Sequence, residues 1–312
     1  GSVRIPAALC GLYGLKATYG RLSEHGAAPL CWTVGHGGPL CATARDLVLA
    51  YACMQGSDPK DPLSTQPVES LANLDGGVKG LRIAIDRRWA HDANPEIVTR
   101  MNETLACFQA AGATVTDIEI PELDEMRCAH TLTILSEMCT CVDGHYRTNW
   151  TDFGMDTRVK LALGNAITNV AYIHSQRMRT RAIALFRGIF EKFDVVVTPT
   201  TGTTAPKIAL DCLPEGESNL PVAAPIMRFV QPGNLTGFPA MSMPIGVDSE
   251  GLPIGLQLYA GPWQESTLLR AALFWESSGG GKRAKPQVFC PLLQRTMAAR
   301  KAAAAADVAD AL

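Results

Sequence analysis

The residue of this sequence best suited to chemistry is Ser2, which lies between Gly1 and a short helical segment. Glycine reaches backbone conformations closed to other residues, so Ser2 can present its hydroxyl on a tight turn. Pro6 favours the first turn of a helix from Pro6 to Cys10, and Gly11 favours its end. The N–H groups at the start of that helix would face Ser2 and could stabilise an oxyanion there. We expect Arg4 to pair with a carboxylate, because a guanidinium beside a packed turn needs a partner.

Two plainer interpretations compete with a nucleophilic Ser2. A Gly-Ser start is often left by cloning, and a serine before a helix is more often a cap. A serine on a turn also needs a neighbouring base before it can attack a carbonyl carbon, and the local sequence offers none. The residues around Ser2 therefore allow a nucleophile without requiring one.

The opening run resembles the second half of the amidase signature. In that pattern the nucleophilic serine lies in Gly-Gly-Ser-(hydrophobic)-Arg-x-Pro-(small)-(small)-x-Cys-Gly-x-x-Gly-x-Lys. The residues that match are Gly1, Ser2, Arg4, Pro6, Cys10, Gly11, Gly14, Leu15 and Lys16. Ala17 stands where a proline usually follows the lysine. The chain is thus identified as a member of the amidase signature family, most similar to the plant-type fatty acid amide hydrolases, and the Gly-Ser start is expected to be native sequence.

This resemblance implies acyl transfer through a serine acyl-enzyme. Ser2 would attack an amide carbonyl, and the N–H groups of Gly1 and Ser2 would contribute to the oxyanion hole. In the family a serine in a cis peptide and a lysine activate the nucleophile, and both precede the segment that Gly1 opens. Lys16 matches another motif position and Lys79 precedes a strand, so neither replaces that lysine. We therefore expect the C-terminal portion of an amidase, with little or no activity alone.

Composition limits the class of protein. The 312 residues are 47% hydrophobic and 19% charged, which argues against disorder, and the net charge of −2 gives no reason to expect a nucleic-acid partner. Ten cysteines are too few for a disulfide scaffold, and Cys139-Thr140-Cys141 is one residue too tight for a zinc ribbon. We expect reduced thiols, no metal and no cofactor.

Location and partners follow from the same features. No apolar run approaches the length of a membrane span, and no secretory signal opens the chain. The expected location is the cytoplasm or the periphery of an intracellular membrane. The expected partner is a small-molecule acyl amide substrate. Membrane association and a homodimer stay open.

The order of the elements predicts an α/β fold. Residues 81–86 form a strand, Asn94-Pro95-Glu96 caps a helix that ends at Gly112, and residues 114–120 form a second strand. This strand-helix-strand unit should hold its two strands parallel. Further strands are expected at 194–198, 241–246 and 254–259. The prediction is a mixed sheet with helices on both faces, the Ser2 turn at its core, and the N-terminal part of the amidase signature fold missing.

A hydroxyl-rich loop from Thr198 to Thr204 follows the apolar strand at 194–198. Loops at the carboxyl ends of strands in open α/β sheets line the ligand crevice. The family carries a similar run beside its substrate cavity. Thr198, Thr200 and Thr201 are therefore candidate substrate-binding residues.

The middle of the chain, residues 124–193, is predicted to be helical. Its apolar positions are Leu161, Ile167, Val170 and Ile173, and its solvated basic positions are Arg177, Arg179, Arg181 and Arg187. His145 and His174 belong to no metal or hydrolase motif, so we assign both to structural roles.

A second block of family resemblance covers Asn234 to Ala240 and Pro253 to Leu258. We place the amidase portion at residues 1–277 and a flexible linker with an alanine-rich tail at 278–312. Three functions remain open. They are a fatty acid amide hydrolase acting on substrates such as N-acyl ethanolamides, another amidase or a glutamine-dependent amidotransferase subunit, and a non-catalytic binding fragment.

Overall fold

Seven strands form one mixed sheet in the computed structural model, which describes residues 1–28, 30–208 and 219–281. The strands are β1 (Tyr13–Lys16), β2 (Leu40–Cys41), β3 (Arg82–Ile85), β4 (Thr114–Asp117), β5 (Val195–Pro199), β6 (Ala240–Val247) and β7 (Pro253–Ala260). Their spatial order is β2-β1-β6-β7-β5-β3-β4. β3 pairs in parallel with β4 and β5, and the other pairings are antiparallel. The predicted mixed sheet is confirmed.

Ten helices surround the sheet in the part of the chain that the structure describes. They are α1 (Arg4–Leu9), α2 (Ala44–Met54), α3 (Arg87–Ala90), α4 (Pro95–Ala110), α5 (Leu123–Asn149), α6 (Met155–Asn165), α7 (Asn169–Phe190), α8 (Leu220–Met227), α9 (Gln231–Thr236) and α10 (Glu265–Ser277). Beyond Ser277, only residues 278–281 of the expected linker and tail at 278–312 lie within the described part.

The two faces of the sheet bury different helices. Successive strand side chains point to opposite faces. Accordingly Val195 and Val197 pack in one hydrophobic cluster with residues of α2, α4 and α10, whereas Val196 packs in a second cluster with residues of α5 and α7. The prediction of helices on both faces is therefore confirmed.

The strand-helix-strand unit forms as the sequence indicates. Asn94 caps α4 by accepting a hydrogen bond from the N–H of Glu96 at 2.9 Å. Ile97, Met101, Leu105 and Phe108 form the buried apolar face of this helix, and Gly112 follows the helix with a φ of +94°. β3 and β4 are parallel neighbours, which confirms that pairing.

Short-range sequence patterns missed two strands and misplaced the bounds of the first helix. β1 and β2 were not predicted as strands. α1 begins at Arg4 and ends at Leu9, because the carbonyl of Gly1 already accepts from the N–H of Ile5 at 2.9 Å. Pro6 tolerates a position inside the first turn, where an N–H would lack a partner in any case.

The predicted faces of the middle helices are partly wrong. Leu161 is buried, but Val170 and Ile173 are 60% and 57% exposed, so they do not belong to the core. Arg179 is not a solvated side chain like its neighbours, since its Nη2 donates to the carbonyl of Thr33 at 2.7 Å. The long-range packing of α7 against α5 and the loop before β2 decides which side is covered.

The position of Ser2 depends on how closely α1 lies on the sheet. A Cβ at Gly14 would lie 2.7 Å from Ala7 Cβ, and a Cβ at Gly255 would lie 2.6 Å from Ala8 Cβ. Real Cβ atoms do not approach so closely, so glycines in β1 and β7 and alanines in α1 are both required. These contacts hold the N-terminal end of α1, and with it Ser2, over the middle of the sheet.

Candidate active site

Ser2 is exposed at the turn that leads into α1. Gly1, beside it, is closely surrounded, since a Cβ there would lie 2.7 Å from Ile5 Cδ1 and 3.0 Å from Val230 Cγ2. The Gly1 nitrogen donates to Asn234 Oδ1 at 3.0 Å. The turn therefore exposes the Ser2 hydroxyl on a backbone that is held in place by the close surroundings of Gly1.

Arg4 is fully buried beneath this turn and has no carboxylate partner among the described residues, so that expectation was wrong. Its Nη1 donates to Gln257 Oε1 at 2.5 Å, and its Nη2 donates to the carbonyl of Val230 at 2.9 Å and to Asn234 Oδ1. The guanidinium also lies 5.8 Å from the ring centroid of Tyr259. Neutral acceptors and one aromatic ring therefore surround this cation, and its Nε is buried without a hydrogen-bond partner among the described residues.

The two side-chain amides that hold Arg4 can take only one orientation. Guanidinium is a donor only, so Gln257 and Asn234 must turn their oxygen atoms towards it. Their nitrogen atoms then face backbone carbonyls, with Gln257 Nε2 2.9 Å from the Phe229 oxygen and Asn234 Nδ2 2.7 Å from the Val34 oxygen. This hydrogen-bonded network connects α1, β7, α9 and the loop before β2.

Lys16 is buried at the end of β1, and its Nζ donates to the carbonyl of Ala17 at 2.9 Å. Burial lowers the pKa of Lys16 well below its usual range, and the charge of Arg4 lowers it further, whereas Glu265 and Glu24 act in the opposite direction. A cationic lysine is therefore disfavoured near the Ser2 turn.

Two histidines that the sequence did not single out also lie near the turn. Burial lowers the pKa of His130 to about 3, with the amino group of Gly1 and Arg4 adding to the effect. His36 has its pKa lowered well below the usual range by burial and by Lys16. One ring nitrogen of each, His130 Nδ1 and His36 Nε2, is buried without a hydrogen-bond partner among the described residues. Both imidazoles are therefore neutral at pH 7.

The structure also locates the histidines and threonines chosen from the sequence. His145 and His174 are exposed on α5 and α7. Thr198, Thr200 and Thr201 are buried at the end of β5 and just beyond it. Thr198 Oγ1 donates to the carbonyl of Pro199 at 2.8 Å and accepts from Gln257 Nε2 at 2.9 Å, so it adjoins the Arg4 network.

The other two threonine hydroxyls have protein partners as well. Thr200 Oγ1 lies 2.8 Å from Ser242 Oγ, and Thr201 Oγ1 donates to the carbonyl of Thr203 at 2.7 Å. Their assignment to substrate binding stays a prediction.

Sequence reasoning missed the two amides that organise the site. Asn234 and Gln257 were noted only as parts of a family match. A signal for Gln257 was present, because a glutamine inside an otherwise apolar strand must find buried hydrogen-bond partners. No comparable signal distinguished His36 or His130.

Other kinds of site are not evident in the described residues. They contain no group of three or more histidine, cysteine or acidic side chains able to hold a metal ion. Their eight cysteines are free thiols. None of the helices described combines the length and apolar character needed to cross a bilayer.

Comparison with protein families gives one match, to the family described as Amidase, over residues 1–269. A fatty acid amide hydrolase from Oryza sativa subsp. indica is 42% identical over 303 residues, which cover 94% of this chain and 50% of the rice protein. A glutamyl-tRNA(Gln) amidotransferase subunit from Maricaulis maris is 32% identical, over 90% of this chain and 61% of that protein. The chain thus spans about half the length of the rice relative.

A similar fold occurs among solved structures. One described as a vestigial protein complex that reveals the evolutionary origins of an s-triazine catabolic enzyme superposes with a TM-score of 0.82 at 29% identity. The match covers 92% of this chain and 62% of that one. The mixed sheet and its helices are therefore shared with a longer protein.

Proposed function

This chain belongs to the amidase family of amide hydrolases, and we propose that it is the portion of a fatty acid amide hydrolase that carries the nucleophile, Ser2. The observation that carries the proposal is the exposed hydroxyl of Ser2 on a turn held by the buried Arg4 network. A nucleophile must be reachable by the substrate and fixed in position, and this arrangement meets both needs.

In the proposed reaction, Ser2 Oγ attacks the carbonyl carbon of the amide and the C–N bond then breaks. The amine leaves with a proton, and water hydrolyses the acyl-enzyme to free acid. The N–H groups of Gly1 and Ser2 are our candidates for the oxyanion hole. The Gly1 nitrogen already donates to Asn234 Oδ1, so a backbone N–H there would have to share its hydrogen between that oxygen and the oxyanion.

We further propose that the 312 residues alone turn over amides poorly. Among the described residues no side chain is hydrogen-bonded to Ser2 Oγ, and a serine hydroxyl needs a base to become nucleophilic. The chain spans half the length of its rice relative, and the amidase signature places a lysine and a cis serine ahead of the stretch that includes Ser2. The unmatched half of the relative is our candidate source of both.

The substrate class proposed is a long-chain acyl amide such as an N-acyl ethanolamide. The similarity to the rice protein supports it, and each buried CH₂ of an acyl chain contributes about 0.8 kcal/mol. Affinity should therefore rise with acyl length. The second candidate, release of ammonia from glutamine within an amidotransferase, is favoured by the 32% identity to the Maricaulis maris protein. An activity independent of acyl length and specific for glutamine would select it.

The experiment compares the 312-residue chain with a form extended at its N-terminus by the segment that its longer relatives carry there. Each is assayed on a long-chain N-acyl ethanolamide with Ser2 intact, with Ser2→Ala and with Ser277→Ala, an exposed serine at the end of α10. We expect turnover only in the extended form, loss of at least about 10³-fold with Ser2→Ala, and no change with Ser277→Ala. Ser2-independent turnover would refute the nucleophile, and robust turnover by the short chain would refute the need for an added base.

A further inference from the structure

We propose that Glu137 and Arg179 are positioning residues that hold a loop against the Ser2 turn and thereby keep the proposed nucleophile in place. The loop comprises residues 31–38, before β2, and is called the Thr33 loop. The inference rests on the nucleophilic role proposed for Ser2. It goes further by giving α5 and α7 a part in that reaction, although neither helix carries the nucleophile or a candidate substrate-binding residue.

Both backbone groups of Thr33 are bound by charged side chains from two helices. Glu137 on α5 accepts from the Thr33 N–H at 2.9 Å through Oε2 and from the Thr33 hydroxyl through Oε1. Arg179 on α7 donates from Nη2 to the Thr33 carbonyl at 2.7 Å. Hydrogen bonds to charged groups are shorter and stronger than those between neutral groups. The backbone of Thr33 and its side-chain rotamer are therefore both fixed.

The charges of Glu137 and Arg179 offset each other away from bulk water. Glu137 is 5% exposed and accepts from the Tyr172 hydroxyl at 3.3 Å, and Arg179 is partly buried. Burial lowers the pKa of Arg179, whereas Glu137 raises it. Apolar side chains can often replace a buried pair of opposite charges without loss of stability. The geometry that these charges impose on Thr33 therefore explains them better than the stability that they add.

One set of hydrogen bonds connects the Thr33 loop to the Ser2 turn. The carbonyl of Val34, the residue after Thr33, accepts from Asn234 Nδ2 at 2.7 Å. Asn234 Oδ1 accepts from Arg4 Nη2, and Arg4 begins α1 two residues after Ser2. The loop and the start of α1 therefore bind the two ends of one amide group.

Direct packing gives a second connection. A Cβ at Gly38 would lie 2.2 Å from the Leu15 carbonyl oxygen and 3.3 Å from Val3 Cγ2. The loop backbone thus lies against β1 and against the residue that follows Ser2. The Pro39 carbonyl extends this contact by accepting from the Leu15 N–H at 3.1 Å. A larger residue at position 38 would push the loop away from the Ser2 turn.

The Thr33 loop is also held along its length. The Gly35 N–H donates to the Cys31 carbonyl at 3.0 Å, and a Cβ at Gly35 would lie 2.6 Å from that oxygen. The Trp32 carbonyl accepts from the Tyr19 hydroxyl at 2.7 Å. A turn this tight, bound at successive carbonyls, is displaced as one unit. Loosening one part of the loop should therefore loosen its contacts with the Ser2 turn.

The test compares Thr33→Val with Thr33→Ser in the N-terminally extended protein. Valine has nearly the shape of threonine but lacks the hydroxyl that donates to Glu137, whereas serine keeps it. We expect Thr33→Val to lower kcat on a long-chain N-acyl ethanolamide about tenfold, with KM changed less than about twofold, and Thr33→Ser to restore most of kcat. The physical reason is that a less firmly held nucleophile spends less time in the reactive geometry.

The matched control is Thr131→Val. The Thr131 hydroxyl also makes a hydrogen bond on α5, to the Arg127 carbonyl at 2.9 Å, but it lies at an exposed position. Its loss should leave kcat and KM unchanged. Circular dichroism and the melting temperature establish that each variant is folded. If Thr33→Val does not fold, Tyr172→Phe, which removes another hydrogen bond to Glu137, decides the question with an expected loss of kcat of about threefold.

A second measurement needs no turnover. Amide hydrogen exchange is followed by mass spectrometry in the 312-residue chain for peptides from the Thr33 loop, from residues 1–9 and from α10. Thr33→Val should speed exchange at least about threefold in the first two and leave α10 unchanged. Thr33→Ser should match the wild type in all three.

A folded Thr33→Val variant with an unchanged kcat would overturn the inference, and so would a change confined to KM. Faster exchange restricted to the Thr33 loop would likewise show that the loop does not hold the Ser2 turn. If the extended protein with its native residues shows no turnover, the function proposed for Ser2 fails, and the exchange data still decide whether the loop and the turn are coupled.

Discussion

Arg4 and Glu265 are two fully buried charges of opposite sign that are held in different ways. Arg4 is surrounded by neutral acceptors and lies under the Ser2 turn. Glu265, at the start of α10, accepts from the N–H of Thr18 at 2.6 Å and lies 3.7 Å from Arg21 Nη2. Among the described residues, Glu265 has the Arg21 cation beside it, whereas Arg4 has no carboxylate partner. Within the described residues, the buried acid is thus paired with a cation, whereas the buried cation is held by neutral acceptors.

The surroundings of Arg21 strengthen this contrast. Its guanidinium lies 4.7 Å from the ring centroid of Trp263 and donates through Nη1 to the Pro67 carbonyl at 3.0 Å. Thr18 also receives a hydrogen bond from the N–H of Trp263 at its Oγ1. The Glu265 centre thus ties the end of β1 to the start of α10. Burial lowers the pKa of Lys16 most, and both centres modify the shift, since Arg4 lowers this pKa further and Glu265 raises it.

Removing the Arg4 charge should have the largest effect on folding. Arg4→Met removes the donor to the oxygens of Gln257 and Val230 and leaves Asn234 Oδ1 with the Gly1 nitrogen alone, and each unpaired buried group costs about 1–3 kcal/mol. We expect the free energy of unfolding to fall by about 3–5 kcal/mol in urea titrations. Arg177→Met, at an exposed position on α7, should change it by less than about 0.5 kcal/mol. Equal effects of the two variants would contradict the role of Arg4 in the network.

The burial of His130, together with the positive charges around it, should also make stability depend on pH. Its folded pKa of about 3 lies below the unfolded value of about 6.5, so between these values the unfolded chain binds a proton that the folded chain does not. Stability is fully present above about pH 6.5 and is lost as the pH falls towards 3. The loss attributable to His130 should be about 2 kcal/mol between about pH 7 and about pH 5.

Chemical denaturation at the two pH values tests this, with His130→Gln as the comparison. The variant should lose about 2 kcal/mol less than the wild type between about pH 7 and about pH 5. His174→Gln, at an exposed position on α7, is the control and should follow the wild type. A pH dependence unaltered by His130→Gln would show that this imidazole titrates normally.

Neutralising Glu265 should have the smallest effect on the free energy of unfolding. Glu265→Gln keeps an oxygen for the N–H of Thr18, and Arg21 retains the Pro67 carbonyl and the Trp263 ring. We expect a loss of about 1–2 kcal/mol of unfolding free energy, that of one charge-assisted contact. Glu103→Gln, at an exposed i,i+3 pair with Arg100, should lose less than about 0.5 kcal/mol. A loss as large as that of Arg4→Met would remove the distinction between the two centres.

Local patterns in the sequence were enough to predict much of the fold. The strands β3 to β7, the cap at Asn94 and the glycine stop at position 112 all depend on residues within a few positions of one another. The motif around Ser2 likewise identified the family and the candidate nucleophile. β1 and β2 were missed, because they are short and their pairing depends on β6 and on each other.

The partners of Arg4 could be decided only by the tertiary structure. Gln257 and Asn234 are 253 and 230 positions away along the chain, and nothing in the local sequence distinguishes an amide from the carboxylate we expected. The exposure of Val170 and Ile173 was decided in the same way, by what α7 packs against. Periodicity and capping are properties of neighbouring residues, whereas the charge balance of a buried site depends on which distant side chains the fold brings into hydrogen-bond range.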